Sequence, residues 1–159
     1  MNSFRTSAIL SLAVFVAAPV TTLAADVAYA GPPGWAHVDV AAPSDANHAF
    51  AQWHIPGDIA TVTFIRDATT RYADVLANIH KNFSDNGIKT SIDKDIPCRG
   101  AAAHVIEFST GPEGKKVVIN RMLVPITKGV ATITYSRADG STFDSDVQKS
   151  ETAFCEATP

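Results

Sequence analysis

The chain has 159 residues, of which 46% are hydrophobic and 18% are charged, and its formal net charge is −3. Its lysines and arginines are scattered and do not alternate with aromatic residues, which argues against nucleic acid or an anionic membrane surface as a partner. The length left after an N-terminal leader, about 130 residues, fits a single domain that buries roughly two-thirds of its unfolded surface.

The first thirty residues are typical of a secretory signal peptide. Arg5 precedes the apolar run Ile9–Ala18, which Pro19 ends. This run is too short to cross a bilayer, because a membrane helix needs about 20 apolar residues. Small-residue cleavage sites follow: the one at Ala30 has the cleaner A-x-A pattern, and the one at Ala25 lies at the more usual distance from the run.

We therefore expect residues 1–30 to be a signal peptide, cleaved after Ala30 or after Ala25, and residues 31–159 to form one domain. The protein is expected to be exported, periplasmic or secreted, with no stable membrane insertion once the leader is removed.

Three alternating segments come next and predict a strand meander: Trp35–Ala41, Ala49–Ile55 and Ile59–Arg66. The period then changes, and an amphipathic helix is predicted over Thr70–Asn86. Apolar residues fall there at helical spacing, at Tyr72, Val75, Leu76, Ile79 and Phe83. Asp67, Thr69 or Thr70 could cap its start, and Gly87 suits its end.

The second half of the chain predicts four strands and a final helix. The strands are Ile88–Ile96, Gly100–Ser109, Lys115–Ile126 and Val130–Arg137, and the helix is Thr142–Ala157, capped by Ser141 or Thr142. Short connections make the last three strands antiparallel neighbours, and apolar residues on both strand faces call for a cover on each side. The expected fold class is α+β, with one antiparallel sheet of about six or seven strands packed with two α-helices in an α/β/α sandwich.

Cys98 and Cys155 are the two cysteines of the chain. In an exported protein such a pair is expected to form a disulfide, which would tie the last helix to the start of the strand at Cys98. A metal or catalytic role for so widely spaced a pair is the alternative.

The order of these elements resembles the PsbP/LpqN-like superfamily, which includes PsbP, LpqN and DcrB-type proteins. The likeness rests on the helix Thr70–Asn86, on a G-x-x-A-x-x-I-x-F strand and on a helix that opens with S-x-F and carries a late phenylalanine. Those positions are Gly100, Ala103, Ile106, Phe108, Ser141, Phe143 and Phe154. The resemblance implies a PsbP-like antiparallel sheet between helices and binding or assembly factors that are mostly not enzymes. It implies no catalytic residue.

Tryptophans and histidines near the mature N-terminus are the first candidates for a binding site. Trp35, His37, Trp53 and His54 could line a ligand or partner groove, although the tryptophans also suit a core. His37, His48 and His54 are weak candidates for a metal site, because His48 and His54 lie about 20 Å apart on a regular strand.

His104 is expected to be a core or rim histidine hydrogen-bonded to a carbonyl, and the run Asp93-Lys94-Asp95 a solvated edge. No G-x-S-x-G nucleophile elbow accompanies His104, which disfavours a hydrolase. The sequence therefore favours an exported, non-enzymatic binding or assembly module without a cofactor, whose partner is an unknown protein or small ligand. A periplasmic small-molecule or metal carrier that uses the histidine-bearing strands is the alternative.

Overall fold

The computed structural model describes residues 28–39, 45, 47–140 and 145–157. Seven strands form one antiparallel sheet in the order β1-β2-β3-β7-β6-β5-β4, with two helices. The elements are β1 (Ala36–His37), β2 (His48–His54), β3 (Thr61–Asp67), α1 (Tyr72–Asn86), β4 (Thr90–Cys98), β5 (Ala101–Thr110), β6 (Val117–Ile126), β7 (Gly129–Ala138) and α2 (Ser145–Glu156). The predicted α+β class is confirmed.

Two antiparallel meanders meet in the middle of this sheet. The first runs from β1 to β3, and the second from β4 to β7, which returns to pair with β3. Helix α1 carries the chain from the central strand β3 to β4 at the far edge. Each predicted strand is present, with ends shifted by a few residues; β1 is only two residues long, and part of its predicted extension lies outside the described residues.

The two sides of the sheet are covered by different helices. Side chains alternate across each strand, so the neighbours Met122 and Leu123 of β6 point to opposite faces. Leu123 belongs to a cluster with Ile106, Phe108 and the apolar stripe of α1. Met122 belongs to the larger cluster that Val147 and Phe154 of α2 complete. The expectation of a cover on each side is therefore met.

The segment that enters β1 contributes to the larger cluster. Tyr29 is 6% exposed and packs its ring against Trp53, Phe64 and Phe154, with ring centroids 5.4, 5.9 and 5.9 Å away. Its hydroxyl lies 2.5 Å from that of Ser150, which itself donates to a backbone carbonyl, so Tyr29 donates to Ser150. Burial raises the pKa of Tyr29 to about 12. This residue therefore belongs to the folded core.

The turn between β3 and α1 is held by a single carboxylate. Asp67 accepts hydrogen bonds from the backbone N–H and the hydroxyl of both Thr69 and Thr70, at 2.6 to 3.2 Å. These bonds hold the pKa of Asp67 well below its ordinary value. The helix begins at Tyr72, two residues later than predicted, because Asp67 organises the turn and Arg71 occupies the N-cap without a side-chain bond.

The disulfide between Cys98 and Cys155 is formed in the structure, with an S–S distance of 2.10 Å and Cα atoms 4.3 Å apart. It joins the end of the edge strand β4 to the last turn of α2. The backbone N–H of Arg99 also donates to the carbonyl of Cys155 at 2.7 Å. The predicted caps Ser141 and Thr142 lie outside the described residues, and neither described helix is long and apolar enough to cross a bilayer.

Loss of this crosslink should destabilise the protein. The bond closes a separation of 57 residues, for which the chain-entropy model gives about 4 kcal/mol of stabilisation. We expect the double variant Cys98→Ala/Cys155→Ala to unfold at lower denaturant concentration by about that free energy, and α2 to exchange its amide protons faster. Denaturant unfolding and hydrogen exchange of both proteins provide the test. Unchanged stability would contradict the role given to the bond.

Candidate functional site

A cavity of about 520 Å³ lies between α2 and the strands β4, β5 and β6. Its floor is formed by strand side chains that point toward α2, and its wall by one face of that helix and by the disulfide. Ile96, Val105, Asn120 and Met122 contribute to the floor, and Gln148, Glu151, Thr152 and Cys155 to the wall. The lining is mostly apolar and the volume is within the usual range of small-molecule sites, about 300 to 1,000 Å³. We refer to it as the α2 cavity.

Glu151 is the unusual residue of this lining. The residue is half-buried, yet its Oε1 is shielded from solvent and has no hydrogen-bond partner within the described part of the chain. Burial raises the pKa of its carboxyl to about 7, from an ordinary value of 4.5. A buried, unpartnered acceptor is costly, and a rotation of the side chain that turned Oε1 toward the cavity would let a ligand donor remove this cost.

The floor also has a polar end. Asn120 is 5% exposed and its amide lies 3.5 Å from Glu107 Oε2, which Arg137 contacts at 3.2 Å. Burial opposes ionisation of Glu107, but hydrogen bonds from Ser91, Arg137 and Asn120 outweigh it and lower the pKa of Glu107. A fixed polar network therefore holds Asn120 beside the apolar lining.

The disulfide forms part of the same wall. Both Cys98 and Cys155 line the α2 cavity, and Cys155 Sγ lies 3.8 Å from Met122 Sδ on the floor. Arg99, the next residue along the chain, stacks its guanidinium 5.3 Å from the ring centroid of Phe154. The crosslink therefore sets the distance between the helix and strand sides of the cavity.

The four residues of the predicted groove do not all lie on one face of the sheet. Trp53 is 8% exposed in the core, His37 lies against its ring at 5.5 Å, and half-buried Trp35 packs against Tyr135 at 6.0 Å. His54 follows Trp53 on β2 and therefore points to the opposite face of the sheet. Three of the four share the face that α2 covers; their role in a groove stays a prediction.

The three predicted metal candidates are also apart. His48 Nδ1 lies 3.1 Å from Asp45, and His48 Nε2 lies 3.8 Å from Asp67. His37 Nδ1 is 3.6 Å from Asp39. In the described ranges, none of His37, His48 and His54 joins a group of three possible metal ligands.

A different group does bring three such side chains together. His80 of α1, Asp93 of β4 and His104 of β5 present ligand atoms that all lie within 4.8 Å of one another. His104 is buried as expected, but its hydrogen-bond partners are two carboxyl groups rather than a carbonyl. His80 and Asp93 are 13 positions apart in sequence, so only the fold reveals the group. Glu151 was missed as well, although its place beside the apolar positions Val147 and Phe154 of α2 was a usable signal.

No protein-family model matches the chain, and no curated protein matches it. Among solved structures, the chain is similar to protein PA94 from Pseudomonas aeruginosa, described as a protein of unknown function and a candidate regulator. The two share 18% sequence identity with a TM-score of 0.49, over 79% of this chain and 96% of that one. A likeness this distant carries no argument about function.

The buried carboxyl predicts a specific pH dependence. Because the folded-state pKa of Glu151 is raised to about 7, its contribution to stability is fully present below the unfolded-state pKa and is lost as pH rises through 7. Relative to Glu151→Gln, we expect the wild type to lose up to about 3 kcal/mol of unfolding free energy between pH 4 and pH 8.

Denaturant unfolding of both proteins across this pH range measures the difference. The matched control is Glu156→Gln, an exposed carboxyl on the same helix, which should leave the wild-type profile unchanged. Parallel profiles for the wild type and Glu151→Gln would contradict the burial of this carboxyl.

Proposed function

We propose that this protein is an exported, non-enzymatic binding module that holds a small molecule in the α2 cavity. The observation that carries the proposal is the Glu151 carboxyl, whose Oε1 is buried without a hydrogen-bond partner in the wall of a 520 Å³ cavity. Natural small-molecule sites combine an apolar lining with a few convergent polar groups. Glu151 and Asn120 are those groups here.

The lining also suggests the chemistry of the ligand. An apolar body would fill the space between Ile96, Val105 and Met122. A hydroxyl, amide or amine hydrogen would be donated to Glu151, which can accept it in either protonation state because one carboxyl oxygen always keeps a free lone pair. We therefore propose an amphipathic small molecule with at least one hydrogen-bond donor.

Export and superfamily membership are parts of the same proposal. Export is supported by the leader-like residues 1–30 and by a cysteine pair whose geometry permits a disulfide, a bond that persists in oxidising compartments. Membership of the PsbP/LpqN-like superfamily is supported by the single antiparallel sheet between two helices. A binding role without catalysis agrees with both.

Native mass spectrometry of the protein secreted by its own host, under non-reducing conditions, tests the binding proposal. We expect an adduct of a few hundred daltons on a disulfide-bonded chain. Thr152→Trp would fill the α2 cavity from an exposed helix position and should abolish the adduct.

Ala153→Trp is the matched control, since Ala153 is the exposed neighbour of Thr152 and does not line the cavity. It should keep the adduct. A wild-type protein that carries no adduct, or an adduct that survives Thr152→Trp, would contradict the proposal; co-purification of a second protein instead would favour an assembly module.

Core packing of Tyr29 supports leader cleavage after Ala25 over cleavage after Ala30. Cleavage after Ala30 would remove Tyr29 from a cluster with Trp53, Phe64 and Phe154, whereas cleavage after Ala25 retains it. We expect the secreted protein to start at Asp26. N-terminal sequencing gives the answer, and a start at Gly31 would show that the domain folds without this ring.

A further inference from the structure

On the opposite side of the sheet from the α2 cavity, one histidine has a carboxylate at each of its ring nitrogens. His104 Nε2 lies 2.8 Å from Asp93 Oδ1, and His104 Nδ1 lies 2.7 Å from Asp95 Oδ1. The His104 side chain is only 10% exposed. Both aspartates come from β4, where Asp95 is the direct partner of His104 across the ladder and Asp93 is the diagonal neighbour.

A second histidine reaches the same carboxylate from the helix. His80 Nε2 lies 3.5 Å from Asp93 Oδ2, and the rings of His80 and His104 meet edge to face with centroids 5.4 Å apart. His80 is held there because Ile79 and Phe83, on the same stretch of α1, pack into the core beneath it. Side chains from α1, β4 and β5 therefore come together at Asp93.

We propose that His80, Asp93 and His104 form a binding site for a divalent transition-metal ion of the Zn²⁺ class. Two imidazole nitrogens and one carboxylate oxygen are ligands that Zn²⁺ takes at about 2.0 to 2.2 Å. In a tetrahedral site of that size the ligand atoms stand about 3.3 Å apart. The three side chains present ligand atoms within 4.8 Å of one another, so small rotations suffice to reach that geometry.

Asp95 supplies the support that a metal-bound histidine needs. When Nε2 binds the ion, Nδ1–H of His104 donates to Asp95, which fixes the ring orientation and its tautomer. An ion bound at Nε2 would replace the hydrogen bond that joins Nε2 to Asp93 Oδ1.

The exposure of the group agrees with an exchangeable ion. The side chains of His80 and Asp93 are 43% and 38% exposed, so water can complete the coordination shell and the ion has an open path. Two aspartates bring two negative charges to the site, which a divalent ion neutralises. Imidazole ligands favour Zn²⁺, Cu²⁺ or Ni²⁺ over Mg²⁺ and Ca²⁺, which prefer oxygen.

Zn²⁺ titration of the disulfide-bonded protein, produced without a polyhistidine tag, tests the site. Calorimetry should give one Zn²⁺ per chain, and Zn²⁺ should raise the midpoint of thermal unfolding because it binds the folded state. His80→Ala, at an exposed helix position, should abolish both effects. Asp95→Asn should weaken the affinity about 10- to 100-fold, as for other supporting groups.

Two controls separate this site from adventitious binding. His48→Gln removes a histidine that also lies beside two aspartates and should bind Zn²⁺ as the wild type does. Mg²⁺ should give no shift of the midpoint. Imidazole resonances of His80 and His104, and not those of His48, should move on titration.

The proposal is overturned if the wild type binds no Zn²⁺, if His80→Ala and Asp93→Asn bind as tightly as the wild type, or if His48→Gln removes the binding. Since Asp93 and His80 are both exposed, these variants report on the site even if a variant of buried His104 fails to fold. Thr152→Trp, which fills the cavity on the other face, should leave Zn²⁺ binding intact, so this site and the α2 cavity are tested independently.

Discussion

The pairing of β3 with β7 is the contact on which the rest of the structure depends. It joins the N-terminal meander to the C-terminal one over seven residue pairs, from Thr61 with Ser136 to Asp67 with Val130. At the end of this ladder, Gly129 lies so close to β3 that an added Cβ would stand 1.9 Å from the carbonyl oxygen of Asp67. Any other residue there would push β7 away from the centre of the sheet. The same Asp67 organises the turn into α1, so one position fixes both the sheet centre and the start of the helix.

One hairpin serves both candidate sites. Along β4 and β5, consecutive side chains alternate between the two faces of the sheet. Asp93, Asp95 and His104 therefore meet on the α1 side, while Ile96 and Val105 line the α2 cavity on the other. This hairpin forms the outer edge of the sheet. The disulfide of Cys98 with Cys155 joins it to α2, and His80 of α1 contacts Asp93 and His104 on its other face.

The hydrophobic periodicity of the sequence predicts most of the fold, but it does not predict the two candidate sites. The stripe Tyr72 to Phe83 and the alternating strands carry their own hydrophobic signal, so the helices and all seven strands were predictable within a few residues. The disulfide was predictable because two cysteines can form only one intramolecular pair. Boundaries shifted where a polar side chain acts locally, as Asp67 does before α1.

The sites are harder to predict because they depend on pairing register and helix placement. Nothing in the local sequence brings His80 near His104; that contact needs α1 to cross the sheet and β4 to pair with β5 in one register. The sequence predicts a solvated edge at Asp93-Lys94-Asp95, and these residues are exposed. Because side chains alternate along β4, both carboxyl groups also lie on the same face of the sheet as His104. The sequence does not predict Tyr29 as a core residue, because its segment has a leader-like composition. Only the tertiary packing of its ring shows that it belongs to the core.

The two outer strands of the sheet bear on how the protein can meet other proteins. β1 is two residues long, and β4 carries Asp93, Lys94 and Asp95 together with Pro97, which has no N–H to donate. Short, charged and proline-containing edges discourage the addition of a foreign strand. Edge-to-edge polymerisation is thereby disfavoured at high concentration, even though both edges of the sheet are open within the described residues. Recognition of the helices or the sheet faces through side chains would avoid these edges.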